Sequence, residues 1–171
     1  MTMRKSVIAV AMAAGLVAGA APAEAAVTPT RPTATQKAQL QYLVEEEKLA
    51  RDVYAYFAAN VTSQKFSNIV KSEQTHMDNI SALLKKYNYF NPTLTRAPGV
   101  FRDKDLQALY NELTAQGSAG AAAAFAVGVA IEELDIADIK KMMANPAPAD
   151  VKLAWDQLLK GSINHLAAFS R

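Results

Sequence analysis

The 171-residue chain contains no cysteine. It therefore makes no internal disulfide, offers no thiolate to a metal and carries no iron–sulfur cluster. Alternating apolar and polar residues over strand length are also missing, as is any tandem repeat, so a β-sheet is not expected. An excess of one charge is lacking: 18 Lys and Arg stand against 16 Asp and Glu, without a basic face. Nucleic acid and anionic membrane surfaces are accordingly not expected as partners. Histidine is scarce, with two in the whole chain.

No apolar run reaches the ~20 residues that a membrane span needs. The longest, Ser6 to Ala20, follows Arg4 and Lys5 and precedes Ala23-Glu24-Ala25. A basic start, a short apolar stretch and an A-x-A site form the pattern of a Sec signal peptide over residues 1–25. The mature protein is expected to begin near Ala26 and to be periplasmic or extracellular, with no membrane attachment after cleavage. Residues 26–35, rich in Pro, Thr and Ala, read as a flexible leader to a single domain at 36–171.

What the chain does have is four apolar stripes of helical period, each interrupted by a metal-ligand type of residue. They are Leu40, Leu43, Glu47, Ala50, Tyr54, Phe57; then Phe66, Ile69, Glu73, His76, Ile80, Leu83, Tyr87. The third is Phe125, Val129, Glu132, Ile136, Ile139, Met143, and the fourth Val151, Trp155, Leu158, Ser162, His165, Phe169. Steps of three and four residues are those of helices packed in a bundle. Ionisable groups on such a seam cost several kcal/mol each unless paired or metal-bound. Three carboxylates and two imidazoles aimed at one core call for a cation.

Helices are expected at about 34–59, 66–87, 120–145 and 150–169, with a short one at about 104–115 capped by Asp103. Short turns join the first two long helices and the last two, so each pair should be antiparallel. About thirty residues between the pairs allow a crossover along the bundle. Two hairpins joined by one long crossover are the ferritin-like arrangement. At 1.5 Å rise per residue, the five ionisable residues lie roughly 16–28 Å from their turns and can share a layer.

Glu73-x-x-His76 puts a carboxylate and an imidazole on one helix face. The first helix carries Glu47-x-x-Ala50-Arg51-x-x-Tyr54, and with the later E-x-x-H it resembles the first two helices of rubrerythrin-type ferritin-like proteins. From Gln39 to Phe169 the chain also resembles an uncharacterised microbial ferritin-like family, a domain of unknown function. The segments that carry this likeness are Glu45 to Tyr54, Ser72 to Met77, Ile131 to Ile136 and Gly161 to Leu166.

The resemblance implies an all-α, ferritin-like four-helix bundle and the metal ligands Glu47, Glu73, His76, Glu132 and His165. It fails at Ser162, where related proteins have a glutamate three residues before the last histidine; Asp135, one turn after Glu132, is a substitute. Three carboxylates carry −3, which two divalent ions and a hydroxide balance. Oxygen and imidazole donors suit iron, or else manganese or zinc. The competing reading is a metal-free network closed by Arg51 and protonated glutamates.

Other residues fit ordinary roles. Tyr54 is a core tyrosine or a hydrogen-bond donor near the ligands. Glu46 and Glu133 are solvated or lie behind the ligands. Met77, Met142 and Met143 are packing rather than a copper site. Asn164 is a cap or a nearby donor, and Trp155 is core.

The expected function is a di-iron oxidoreductase acting on peroxide, oxygen or ferrous iron, with an external electron donor because no cysteine site is present. A homodimer is compatible with the sequence. A non-catalytic metal-sequestering protein is the alternative, and a metal-free structural bundle the second alternative.

Overall fold

A computed structural model describes residues 30–171, and these form five helices and no strand: α1 (Ala34–Asn60), α2 (Gln64–Lys86), α3 (Lys104–Gly117), α4 (Ala121–Met143) and α5 (Ala149–Phe169). The expected signal peptide, residues 1–25, and residues 26–29 of the expected leader lie outside the described residues.

Local chemistry sets the helix ends. Thr33 caps α1 in a capping box with Gln36, and the Asp103 side chain accepts from the N–H groups of Asp105 and Leu106 at the start of α3. These contacts satisfy N–H groups that a helix start leaves unpaired. Asn88, at φ 56°, turns the chain out of α2, and Tyr89 N–H closes back onto Leu84 C=O. Asparagine tolerates this left-handed conformation better than most residues.

α1 packs along α2 and α4 along α5, while contacts of α1 with α4 and of α2 with α5 close a ring of four long helices. α3 lies outside, against α1 and α4. Two apolar clusters reveal the directions. One joins Leu40 and Leu43 to Ile80, Leu84, Ile139, Val151 and Trp155. The other joins Val53 and Phe57 to Phe66, Val127, Ile131 and Phe169. Thus α1 and α5 run one way, α2 and α4 the other, and residues 87–120 return along the bundle. Each large side chain fully buried in these clusters contributes about 1.5–3 kcal/mol relative to exposure.

The stripes expected on α1, α2 and α5 are all buried. The α4 stripe is not the one expected. Its buried residues are Ala124, Val127, Gly128, Ile131, Glu132, Asp135, Ile139 and Met142, with Phe125, Val129, Ile136 and Met143 only half-buried. α4 is apolar on nearly every side, so periodicity alone does not select its inner face. Between the two apolar clusters lies a polar layer. No described helix is long and apolar enough to cross a membrane.

Candidate metal centre

Each long helix delivers its ionisable residue to this layer: Glu47 from α1, Glu73 and His76 from α2, Glu132 from α4 and His165 from α5. All five are buried. His76 Nδ1 lies 3.1 Å from Glu47 Oε2 and 2.8 Å from Glu73 Oε2. His165 Nδ1 lies 2.8 Å from Glu73 Oε1 and 3.5 Å from Glu132 Oε1. Two triads result, Glu47–Glu73–His76 and Glu73–Glu132–His165, each with ligand atoms within 4.8 Å of one another. Glu73 belongs to both and gives one oxygen to each side. The two imidazoles stack, with centroids 5.6 Å apart.

Several atoms of the layer have no hydrogen-bond partner: Glu47 Oε1, Glu73 Oε1, Glu132 Oε2 and His165 Nδ1. The 2.8 Å approach of Glu73 to His165 is therefore close without hydrogen-bond alignment. Burial raises Glu47 to about 7 against the pull of His76, and Glu132 to about 7 against that of His165. Burial also opposes the charged rings, but Glu47 and Glu73 lift His76 to about 10, and Glu132 and Glu73 lift His165 to about 9. Glu73 is pushed up by burial, yet the two imidazoles hold it below its ordinary value. Charge is shared across the whole layer.

Supporting contacts come from Ser72 and Gly161, which the sequence stripes do not contain, and from Tyr54, which they do. His165 Nε2 is 2.9 Å from Ser72 Oγ, which fixes the ring and leaves Nδ1 facing the carboxylates. A Cβ on Gly161 would fall 2.3 Å from His76 Cε1, so only glycine lets the ring lie against α5. Tyr54 donates its hydroxyl to Glu132 Oε1 at 2.7 Å, meeting both expectations for it, core residue and donor. The glycine and serine do stand inside the quoted segments Gly161 to Leu166 and Ser72 to Met77.

Asp135 is buried beside the layer but belongs to neither triad, and its Oδ1 has no partner. Burial raises it well above the carboxylate range, with Glu46 the strongest neighbouring charge and Glu47 next. Of the two places expected for Glu46, the structure selects the one behind the ligands: it is 1% exposed, neither oxygen has a partner, and burial with Asp138 and Glu47 lifts it to about 8. Glu133 is exposed, as is Asn164, which points away from the layer. Met142 and Met143 pack in the apolar cluster at one end. Ser162 is buried and gives its hydroxyl to Leu158 C=O.

Arg51 does not close the network. Its guanidinium donates to Asp52 Oδ1 and Gln74 Oε1. The metal-free reading thus loses Arg51 as its closing group, because α1 turns it toward α2 and Asp52 instead of the inner seam.

Residues 36–171 match a family model described as "Uncharacterized protein domain (DUF2202)". The chain is similar to "Uncharacterized protein MJ0754" of Methanocaldococcus jannaschii, 43% identical over 136 residues that cover 80% of this chain and 74% of that protein. It is similar also to the crystal structure of hypothetical protein MJ0754 from Methanococcus jannaschii, with a TM-score of 0.80 and 39% identity over 85% of this chain and 83% of the other. With the model spanning nearly all of the described helices, the chain belongs to the DUF2202 domain family.

Proposed function

We propose that this protein is an exported, ferritin-like metal protein whose two triads form one dinuclear centre, and that it acts as a di-iron oxidoreductase on peroxide, oxygen or ferrous iron. The observation that carries the reading is Glu73, whose two oxygens face different histidines at 2.8 Å. A carboxylate so shared is suited to bridging two ions. The ferritin-like assignment draws support from the ring of four long helices, the two hairpins and the long return between them. Export rests on the Arg4-to-Ala25 pattern.

The residues present fit a pair of divalent ions. Four orphaned donor atoms line the layer, and each buried polar atom left unpaired costs about 1–3 kcal/mol, more when charged. Carboxylate and imidazole without thiolate suit iron or manganese, with zinc favoured on affinity alone. Glu47 and His76 would hold the first ion, Glu132 and His165 the second, and Glu73 both. A redox-active pair there supplies electron exchange with a small oxidant. Ser72 orients the His165 ring, Tyr54 orients Glu132, and the apolar clusters on either side exclude bulk water. The chain has no cysteine to carry an electron-transfer site, so electrons come from a separate donor or from ferrous iron.

Ser162 favours a second reading, metal binding without turnover. With its hydroxyl given to Leu158, the second triad gains no further carboxylate from α5. Metal analysis of the protein purified from its own exported compartment tests both. Two iron ions per chain, with an absorption change on adding peroxide, are expected from the oxidoreductase. Bound metal with no spectral response selects sequestration. Absence of metal, together with identical melting curves with and without iron, manganese or zinc, would sink both. A metal that binds only the folded chain adds about 2.7 kcal/mol at a hundredfold excess over Kd.

A further inference from the structure

Of the buried carboxylates outside both triads, Glu46 and Asp135 are the two with unpartnered oxygens. We propose that Glu46 and Asp135 form a relay site for a divalent cation, on a route that enters between Tyr42 and Asp138 and ends at Glu47. The proposal rests on the metal centre described above.

The route is laid out by helical spacing. On α4, Glu132, Asp135 and Asp138 follow one another at three-residue steps, so each lies beside the next while the row winds from the buried side of the helix toward its surface. On α1, Tyr42 and Glu46 are one turn apart, and α1 contacts α4. Burial decreases outward along the α4 ladder: Glu132 is 0% and Asp135 1% exposed, while Asp138 is half-buried. Tyr42 and Asp138 line a surface cleft of about 330 Å³, with Met142 beneath and the exposed Lys141 at its rim. The outer end of the ladder thus opens on solvent and its inner end is a ligand of the centre.

The buried step points to a cation. Both oxygens of Glu46 and Oδ1 of Asp135 are without partners. Asp138 and Glu47 are the charges nearest in effect to Glu46, and Glu46 and Glu47 those nearest to Asp135. The bases close in sequence are engaged elsewhere: Lys48 with Asp52 and Ala97 C=O, Arg51 with Asp52 and Gln74. Carboxylates kept for packing alone would not be left buried and unpaired, since that burial is costly. Hard carboxylate oxygens without a partner answer to a divalent cation, not to an anion. Two carboxylates hold an ion more weakly than the triads do, which suits passage rather than storage.

The test is stopped-flow uptake of Co(II) by the full mature chain, paired with metal content at equilibrium. Wild type is compared with Glu46→Gln, Asp135→Asn, the double variant, Asp138→Lys and the exposed control Asp156→Asn. Equilibrium content should stay at two ions per chain throughout. Uptake should slow about tenfold in the double variant and in Asp138→Lys, the latter with a flatter dependence on salt, and stay unchanged in the control. Wild-type uptake rates in the double variant would overturn the route alone. Loss of one ion per chain in Asp135→Asn would also overturn it, by making Asp135 a ligand of the centre. Failure of wild type to bind cobalt would remove the centre itself, and the route with it. Should the double variant not fold, Asp138→Lys at the half-buried end decides: a wild-type rate there refutes the route.

Discussion

Two buried polar regions lie side by side on α1, and they treat their atoms differently. Glu45, Lys48 and Asp52 hold the crossover. Glu45 Oε1 accepts from Arg102 N–H at 2.5 Å, and Asp52 Oδ2 accepts from Gly99 N–H at 2.8 Å. Lys48 is 1% exposed, pairs with Asp52, donates to Ala97 C=O and lies 4.4 Å from the centre of the Phe101 ring. None of the polar atoms of these three side chains is left without a partner. Glu46 and Glu47, interleaved in sequence, face the bundle axis and the α4 seam and leave three oxygens unpaired. A network built for structure closes on itself, because each open atom costs stability. A network that leaves atoms open has room for a charge the chain does not supply.

The largest expected effect separates the two regions outright. Glu73→Ala should take metal content from two ions per chain to none, while the crossover stays in place and the variant remains folded by circular dichroism. Retention of one ion would mean that Glu73 does not bridge.

Lys48→Met should do the reverse. It leaves Asp52 buried with only part of its partners, and breaking such a pair costs about 3–5 kcal/mol in urea unfolding. Metal stoichiometry of the folded fraction should not change. Loss of metal without loss of stability would erase the distinction between the regions.

Gly161→Ala is the next in size. Its new Cβ would fall 2.3 Å from the His76 ring and must displace it, so affinity at the first triad should drop about 10–100-fold, the scale seen when the support of a ligand is lost. Isothermal titration should show this with the second triad unaffected. Equal weakening of both ions would mean that the rings move together.

The smallest effect lies at the bundle end. Burial works against the Asp150 carboxylate, but Lys86, the Tyr87 hydroxyl and the Val151 N–H hold it below its ordinary value. A depressed carboxylate stabilises the fold above its unfolded value, and that contribution is lost as pH falls through the folded one. Because the Lys86 pair is solvent-exposed, the loss should be under about 1 kcal/mol. Urea midpoints from pH 6 down to pH 3 should fall slightly more steeply for wild type than for Asp150→Asn. Parallel curves would assign no stabilising role to this contact.

Legibility followed amphipathicity. α1, α2 and α5 each carry polar faces that leave one apolar stripe, and all of their expected inner residues are buried. Glu47, Glu73, His76, Glu132 and His165 could be picked out because an ionisable residue interrupts an apolar period. α4 lacks a polar face through much of its length, so its rotation was not readable and its stripe came out displaced. The sequence does not choose between a solvated place for Glu46 and one behind the ligands, because charges flank it, and the packed bundle buries it.

The sequence by itself determined the helices, their ends and the residues that interrupt the seams, since caps, breakers and periodicity act over a few residues. Tertiary structure decided that Glu73 faces both histidines, that Ser72 and Gly161 position the rings, that Arg51 turns away and that Lys48 clamps the crossover. Those outcomes depend on which helices meet and at what rotation. Distances between side chains far apart in the chain are set by packing, and no local pattern encodes them.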